Sequence, residues 1–192
     1  MKTYTIIAGV NGTGKSSLTG ALKAQTKSLG TIIDTDKITA EAGVSPLTGG
    51  KIALKKIRSC LDQGICFTQE STLSGHVIRD TVRRAHESGY YIRLYYVGLD
   101  SAEESIRRIA NRVAHGGHDI PSDIVVHRFS QRWANLAAVL PYCDEAMFFD
   151  NDNGFVQVAV YENGELLAKG SLRPAWFKDL AEYLETNALT LM

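Results

Sequence analysis

The sequence predicts an α/β fold, a mostly parallel five-stranded sheet with helices on both faces, and three observations carry that prediction. Strand and helix signals alternate from the N-terminus to about Asp150. A glycine-rich loop follows the first apolar run directly, where open α/β sheets bind ligands at strand carboxyl ends. No repeat, low-complexity segment or linker divides the 192 residues, so residues 1–192 are expected to form a single domain.

Each element has its own signal. TYTIIAGV reads as a buried strand, followed by the glycine-rich turn and a helix from about Lys15 to Ser28. GTIIDTD is a second, short strand. GGKIALKKIRSCLDQG has helical spacing at Ile52, Ile57 and Leu61 and stops at Gly64. ICFTQE is the third strand and HVIRDTVRRAHESG a helix ending at Gly89. YYIRLYYVGL, β-branched and aromatic, is the fourth strand. Ser101 and Glu104 form a capping box that opens the helix EESIRRIANRV. AHGGHDIP interrupts it, and Ser122 is expected to cap a further helix reaching Ala138. EAMFFD is the fifth strand. The tail, 154–188, leaves the alternation: FVQVAVY, an Asn163-Gly164 turn and ELLAKG predict a β-hairpin, and an amphipathic helix follows from Pro174 to Thr186.

Composition narrows the function classes. Lys+Arg and Asp+Glu stand at 21 each, so net charge calls for neither nucleic acid nor an anionic membrane as partner. No apolar run reaches the roughly 18 residues of a membrane helix, and no signal-peptide anatomy follows Met1. Cys60, Cys66 and Cys143 lack metal or disulfide spacing, which points to reduced thiols and a cytoplasmic address.

The loop Gly9 to Ser16, GVNGTGKS, fits G-x-x-x-x-G-K-[ST] in full and lies between a predicted strand and a predicted helix. Gly12 and Gly14 permit the backbone angles that turn successive N–H groups inward as an anion nest at a helix N-terminus. Asn11, Gly12, Thr13, Gly14, Lys15, Ser16 and Ser17 are therefore the expected binders of ATP (or GTP), with Lys15 reaching the β- and γ-phosphates and Ser16 ligating Mg²⁺.

Carboxylates close two strands. Asp34 and Asp36, two apart at the end of strand two, are expected to face the cleft together by strand parity. Asp36 is placed to take the proton of an attacking hydroxyl, or to meet Mg²⁺ through water. The alternative is that one of the pair caps the helix beginning at Lys37. Glu70 ends strand three, with Ser71, Thr72 and Ser74 after it; Glu70 and Thr72 fix a polyhydroxylated substrate or position Mg²⁺, unless Ser74 is only a cap and Glu70 a solvated acid. Asp34 and the lid-tip His118 join Glu70 and Thr72 as the expected substrate contacts. Across residues 107–132, Arg107, Arg108, Arg112, Arg128 and Arg132 flank the Gly-Gly break, Arg108 and Arg112 four apart and Arg128 and Arg132 likewise, the pattern of a small helical lid that closes on phosphates. His115, His118 and His127 have irregular spacing that argues against a metal site.

A second reading competes. TLSGH, Thr72 to His76, is similar to the start of the LSGGQ signature of ABC ATPases, which would make the chain an ATP-hydrolysing switch. Against it, Asp100 is followed by Ser101 where that family needs glutamate, and the second Gly and the Gln are missing. A nucleotide-binding interaction protein without turnover is a third reading.

From Thr3 to about Asn151 the chain resembles the zeta-toxin-like P-loop kinases, whose small bacterial branch is often labelled a predicted ABC-type ATPase. The resemblance rests on GVNGTGKSS, DTD, QESTLSG, RIANRVAHGGHDIP, the helix with Arg128, and FFDN. It implies transfer of the γ-phosphate to a sugar hydroxyl; characterised zeta toxins use UDP-N-acetylglucosamine. It further implies Lys15 and Ser16 on Mg·ATP, Asp36 as general base, Glu70 at the substrate, Arg112 and Arg128 on phosphates, and an antitoxin protein as a partner. Where the branch often has arginine, this chain has His76 and His127, a departure that bears on a diphosphate-bearing acceptor.

Overall fold

The computed structural model describes residues 1–25 and 28–187. One mixed sheet of seven strands forms its centre, in the order β2-β3-β1-β4-β5-β6-β7. The strands are β1 (Thr3–Ala8), β2 (Thr31–Ile33), β3 (Phe67–Ser71), β4 (Tyr91–Val97), β5 (Glu145–Asp150), β6 (Val156–Glu162) and β7 (Glu165–Ala168). The first five pair in parallel; β6 returns antiparallel on β5 and β7 on β6. The expected C-terminal hairpin extends the sheet at its β5 edge and brings it to seven strands. Asn163, at φ 53, and Gly164, at φ 85, both take the left-handed angles of its turn.

Strand β1 is central. Its neighbours β3 and β4 lie on opposite sides, so its carboxyl end opens at the topological switch point. Register brings Ile7 beside Glu70 and Ala8 beside Ser71, which delivers Glu70 to the start of the glycine-rich loop.

The helices are α1 (Lys15–Ala24), α2 (Thr35–Ala42), α3 (Pro46–Gln63), α4 (His76–Glu87), α5 (Ala102–Ala114), α6 (Ser122–Ser130), α7 (Arg132–Ala137) and α8 (Ala175–Asn187), with a 3-10 turn at Leu140–Tyr142. Alternate residues of β1 feed two cores. Tyr4, Ile6 and Ala8 join the larger, with Ile57 of α3, Val82 of α4, Trp133 of α7 and Trp176 of α8. Ile7 joins the smaller, with Leu18 and Leu22 of α1, Tyr95 and Val97. Period-two alternation therefore places α1 on one face and α3, α4, α7 and α8 on the other.

Several boundaries differ from expectation. Helix α1 ends at Ala24, short of Ser28. The second strand stops at Ile33, because the Asp34 carboxylate accepts the N–H groups of Asp36 and Lys37 and so starts α2. The strand-parity argument for the two aspartates fails there; Asp34 is the cap and Asp36 lies in the first helical turn. Ser45 and Pro46 then start α3 afresh after the left-handed Gly43. The helix expected from Ser122 to Ala138 is two helices. Val125 is buried in α6, whereas Trp133 and Leu136 turn α7 into the core, and Arg132 stacks between Phe129 (3.8 Å) and Trp133 (4.3 Å) at the break. Pro121, not Ser122, occupies the cap position of α6. Residue 188, the expected end of the tail, lies outside the described residues.

Candidate active site

At the carboxyl end of β1 a cleft of about 480 Å³ opens between the glycine-rich loop, the start of α2, the end of β3 and the arginine-bearing helices α5 and α6. The loop takes its shape from glycine. Gly12 sits at φ 78 and Gly14 at φ 95, angles at which L side chains are strained, and a Cβ on Gly14 would run into the Asn151 amide. Thr13 is fully buried and donates its hydroxyl to Val10 O (3.1 Å), bracing the loop from inside, so its side chain does not face the cleft. Ser105 of α5 donates to Asn11 O (2.5 Å), and Asn151 Nδ2 donates to Thr13 O (2.9 Å).

Lys15 folds under this loop and donates to Gly9 O (3.0 Å) and Val10 O (2.9 Å). Burial pulls its ammonium down to about 8; Glu70 and Asp36 oppose the fall, while Arg112 and Arg128 add to it. Ser16 and Ser17, in the first turn of α1, line the cleft.

Glu70 meets the loop from the β3 side. Its carboxylate accepts the Ser16 hydroxyl at 2.7 Å and the Thr19 hydroxyl at 2.6 Å. Burial pushes its carboxyl above the usual range, with those two hydrogen bonds working against the shift. Asp34, Thr35 and Asp36, at the start of α2 next to the β3 end, also line the cleft, and Asp36 is exposed.

Arginines close the third side. Arg128 of α6 donates to Asn11 Oδ1 at 3.0 Å, tying α6 to the loop. Arg112 of α5 donates to His118 O at 2.5 Å and lines the cleft. Arg108 also lines it, held by Glu104 (2.6 Å), Asn151 O (3.1 Å) and Asp152 (3.2 Å). His118 is not brought into the cleft. It is exposed between α5 and α6, where its carbonyl accepts from Arg112. Thr72 does line the cleft, hydrogen bonded to Ser74 at 3.1 Å.

Sequence reasoning gave no role to three contributors: Thr19, Ser105 and Asn151. Thr19 had a signal, since it lies three residues after Ser16 and so shares its helix face. Ser105 and Asn151 act across 94 and 138 residues, a separation no local pattern encodes.

The donor set around Ser16 suits a hard cation. It consists of the Ser16 hydroxyl and the Glu70 carboxylate that accepts it at 2.7 Å, with no histidine or cysteine in the cleft lining. Among the described residues no group of three or more His, Cys, Asp or Glu could hold a metal ion alone.

No family model matches the chain. It is similar to an uncharacterized protein of Haemophilus influenzae, 34% identical over 126 residues that cover 63% of this chain and 88% of that one. Among solved structures it superposes on a chain of the PezAT chromosomal toxin-antitoxin system of Streptococcus pneumoniae with TM-score 0.64 at 15% identity, over 100% of this chain and 87% of that one. It superposes on a chain of AvrRxo1-ORF1:-ORF2 crystallised with ATP with TM-score 0.62 at 18% identity, over 96% of this chain. The chain spans 63% of that second structure. Among the described residues no helix is long and apolar enough to cross a membrane.

Proposed function

The chain belongs to one family with the Haemophilus influenzae protein and has the fold of the zeta-toxin-like P-loop kinases, and from that premise we propose that it is a phosphotransferase moving the γ-phosphate of Mg·ATP (or Mg·GTP) to a hydroxyl of a small molecule. One observation carries the reading: the loop that cradles phosphate, a carboxylate on the Ser16 hydroxyl, an exposed carboxylate at the start of α2 and two lid arginines all line a single cavity.

In this reading the loop N–H groups and Lys15 hold the β- and γ-phosphates. Ser16 and Glu70 would hold Mg²⁺, which neutralises charge on the transferring phosphoryl group. Asp36 takes the proton as the acceptor oxygen bonds to the γ-phosphorus, while the bond from that phosphorus to the β–γ bridging oxygen breaks and the diphosphate leaves. Arg128 exchanges its Asn11 partner for a phosphate oxygen, and Arg112 closes beside it. An ATP-driven switch would need an acid poised to activate water; the exposed Asp36, facing a cavity large enough for a second molecule, favours a hydroxyl acceptor instead. A cytoplasmic address accords with the three free thiols, and an antitoxin protein is the partner that likeness to PezAT adds.

The test is ³¹P NMR of the protein with Mg·ATP, alone and with added acceptors, the resemblance supplying UDP-N-acetylglucosamine as one of them. A new phosphomonoester resonance is expected with an acceptor, and Asp36→Asn should lower its rate by about 10²–10⁴-fold while nucleotide binding persists. ADP and free phosphate formed at one rate whatever acceptor is present would replace the kinase with the switch.

A further inference from the structure

The cations of the cleft all stand on one side. Lys15 belongs to the phosphate loop, Arg108 and Arg112 to α5, and Arg128 to α6. Each already has partners on that side: Lys15 the Gly9 and Val10 carbonyls, Arg108 Glu104 of its own helix with Asn151 and Asp152 after β5, Arg112 the His118 carbonyl, and Arg128 Asn11. The remaining wall, built by the end of β3, the loop after it and the start of α2, contributes no basic residue to the lining.

That wall offers three carboxylates and a set of neutral hydrogen-bonding groups: Thr35, Gln69, Ser71, Thr72 and Ser74. Gln69 accepts from the Tyr4 hydroxyl at 2.5 Å, which leaves its NH₂ group for a ligand. Thr72 donates to Ser74, whose hydroxyl is then free to donate onward. The backbone here is held in an uncommon shape. Leu73 is buried at φ 59, an outlier for so bulky a side chain, and its N–H is fixed by Ser71 Oγ at 2.9 Å. Burying Leu73 this way puts its two hydroxyl neighbours, Thr72 and Ser74, on the cavity surface.

The positive end of α2 is already closed by the Asp34 carboxylate, which accepts from Asp36 N at 3.0 Å and Lys37 N at 3.1 Å. Lys37 is exposed, pairs with Glu41 at 3.8 Å and does not line the cleft. A phosphate-bearing acceptor would face Asp34, Asp36 and Glu70 without a counter-charge, and like charges brought together oppose binding. Space points the same way, since the cleft of about 480 Å³ has to take nucleotide and acceptor together, whereas single-ligand sites alone span about 300–1,000 Å³.

Resting on the kinase reading, we propose that the acceptor is a compact polyhydroxylated molecule carrying no phosphate, an unphosphorylated sugar or polyol, recognised by the hydroxyl and amide wall of Gln69, Thr72 and Ser74. The chemistry balances as a simple transfer: one acceptor hydroxyl becomes a phosphomonoester, the nucleotide leaves as its diphosphate and the released proton passes to Asp36.

The experiment offers full-length protein and Mg·ATP two matched sets, unphosphorylated sugars and polyols (glucose, N-acetylglucosamine, inositol, ribitol, glycerol) and their phosphorylated counterparts, with UDP-N-acetylglucosamine in the second set. Phosphomonoester formation is expected in the first set, with kcat/KM on the order of a hundredfold lower for each matching phosphorylated compound. Thr72→Val, which keeps volume and removes the hydroxyl, should raise KM for the preferred acceptor and leave the Kd of Mg·ATP unchanged. Products formed only with the phosphorylated set would overturn this acceptor class and leave the kinase standing. No phosphomonoester in either set, with ATP still consumed, would overturn the kinase reading and this inference together.

Discussion

Lys15 is the residue on which the site's electrostatics turn. Its ammonium is enclosed with two carbonyl partners, and burial holds it near 8 instead of its ordinary 10.5. The sign for stability is the reverse of a lysine that gains a salt bridge. Unfolding lets Lys15 regain a proton at any pH between about 8 and 10.5, so its contribution to stability improves as pH rises through that window. For the nucleotide the sign is opposite, because phosphates favour the ammonium form. Affinity for Mg·ATP is therefore expected to be flat below about pH 8 and to weaken above it, approaching tenfold per pH unit. Calorimetry in two buffers of unlike ionisation enthalpy should register proton uptake on binding above that pH. A Kd that stays level through the window, or heats that ignore the buffer, would show that Lys15 keeps its proton in the free protein. The lysine's place in the loop was legible because G-x-x-x-x-G-K-[ST] is a local pattern. Its lowered ammonium was not, since that follows from burial beneath the folded loop and from Arg112 and Arg128, brought in from α5 and α6.

Helix α8 shows how an element far along the chain holds the site in place. Trp176 is fully buried against the backbone of Gly98, where even a Cβ would overlap the indole ring. Its backbone N–H donates to Asp100 (2.8 Å) and its indole N–H to Asp150 (2.8 Å), so α8 clamps the ends of β4 and β5. Asn151 follows Asp150 directly and carries the hydrogen bond to Thr13 of the phosphate loop. Trp176→Phe keeps an aromatic ring and removes the donor, leaving a buried carboxylate oxygen unpaired at a cost of about 1–3 kcal/mol. For a chain of this length the thermal midpoint should fall by about 2–4 °C per kcal/mol. A midpoint within a degree of the parent would mean that Asp150 finds another partner. The amphipathic pattern of α8 was readable in sequence, and so was the hairpin before it; the clamp was not, because it joins residues 76 and 26 positions apart. The same limit explains α2 and α6. Strand parity at Asp34 lost to a capping carboxylate, and the expected long lid helix broke where burying Trp133 outweighed continuing α6.

At the scale of the whole molecule, sheet order and cleft are one arrangement. Because β3 and β4 flank β1, the phosphate loop, Glu70 and the arginine helices are drawn from segments far apart in sequence into one cavity, and a ligand there is bound only by the folded chain. Mg·ATP at a hundred times its Kd should therefore add about 2.7 kcal/mol to stability. The thermal midpoint should rise by about 5–10 °C. Two substitutions separate holding a phosphate from transferring it. Lys15→Ala removes a group of the phosphate cradle and should abolish most of the rise. Asp36→Asn, at an exposed carboxylate on the other wall, should preserve the rise while the phosphomonoester signal is lost. A rise that survives Lys15→Ala would place the nucleotide outside this cleft. If Asp36→Asn abolished the rise, the carboxylate would belong to the nucleotide and its cation, and the proton of the acceptor hydroxyl would need another base from the same wall, where Glu70 is the remaining carboxylate not engaged in capping a helix.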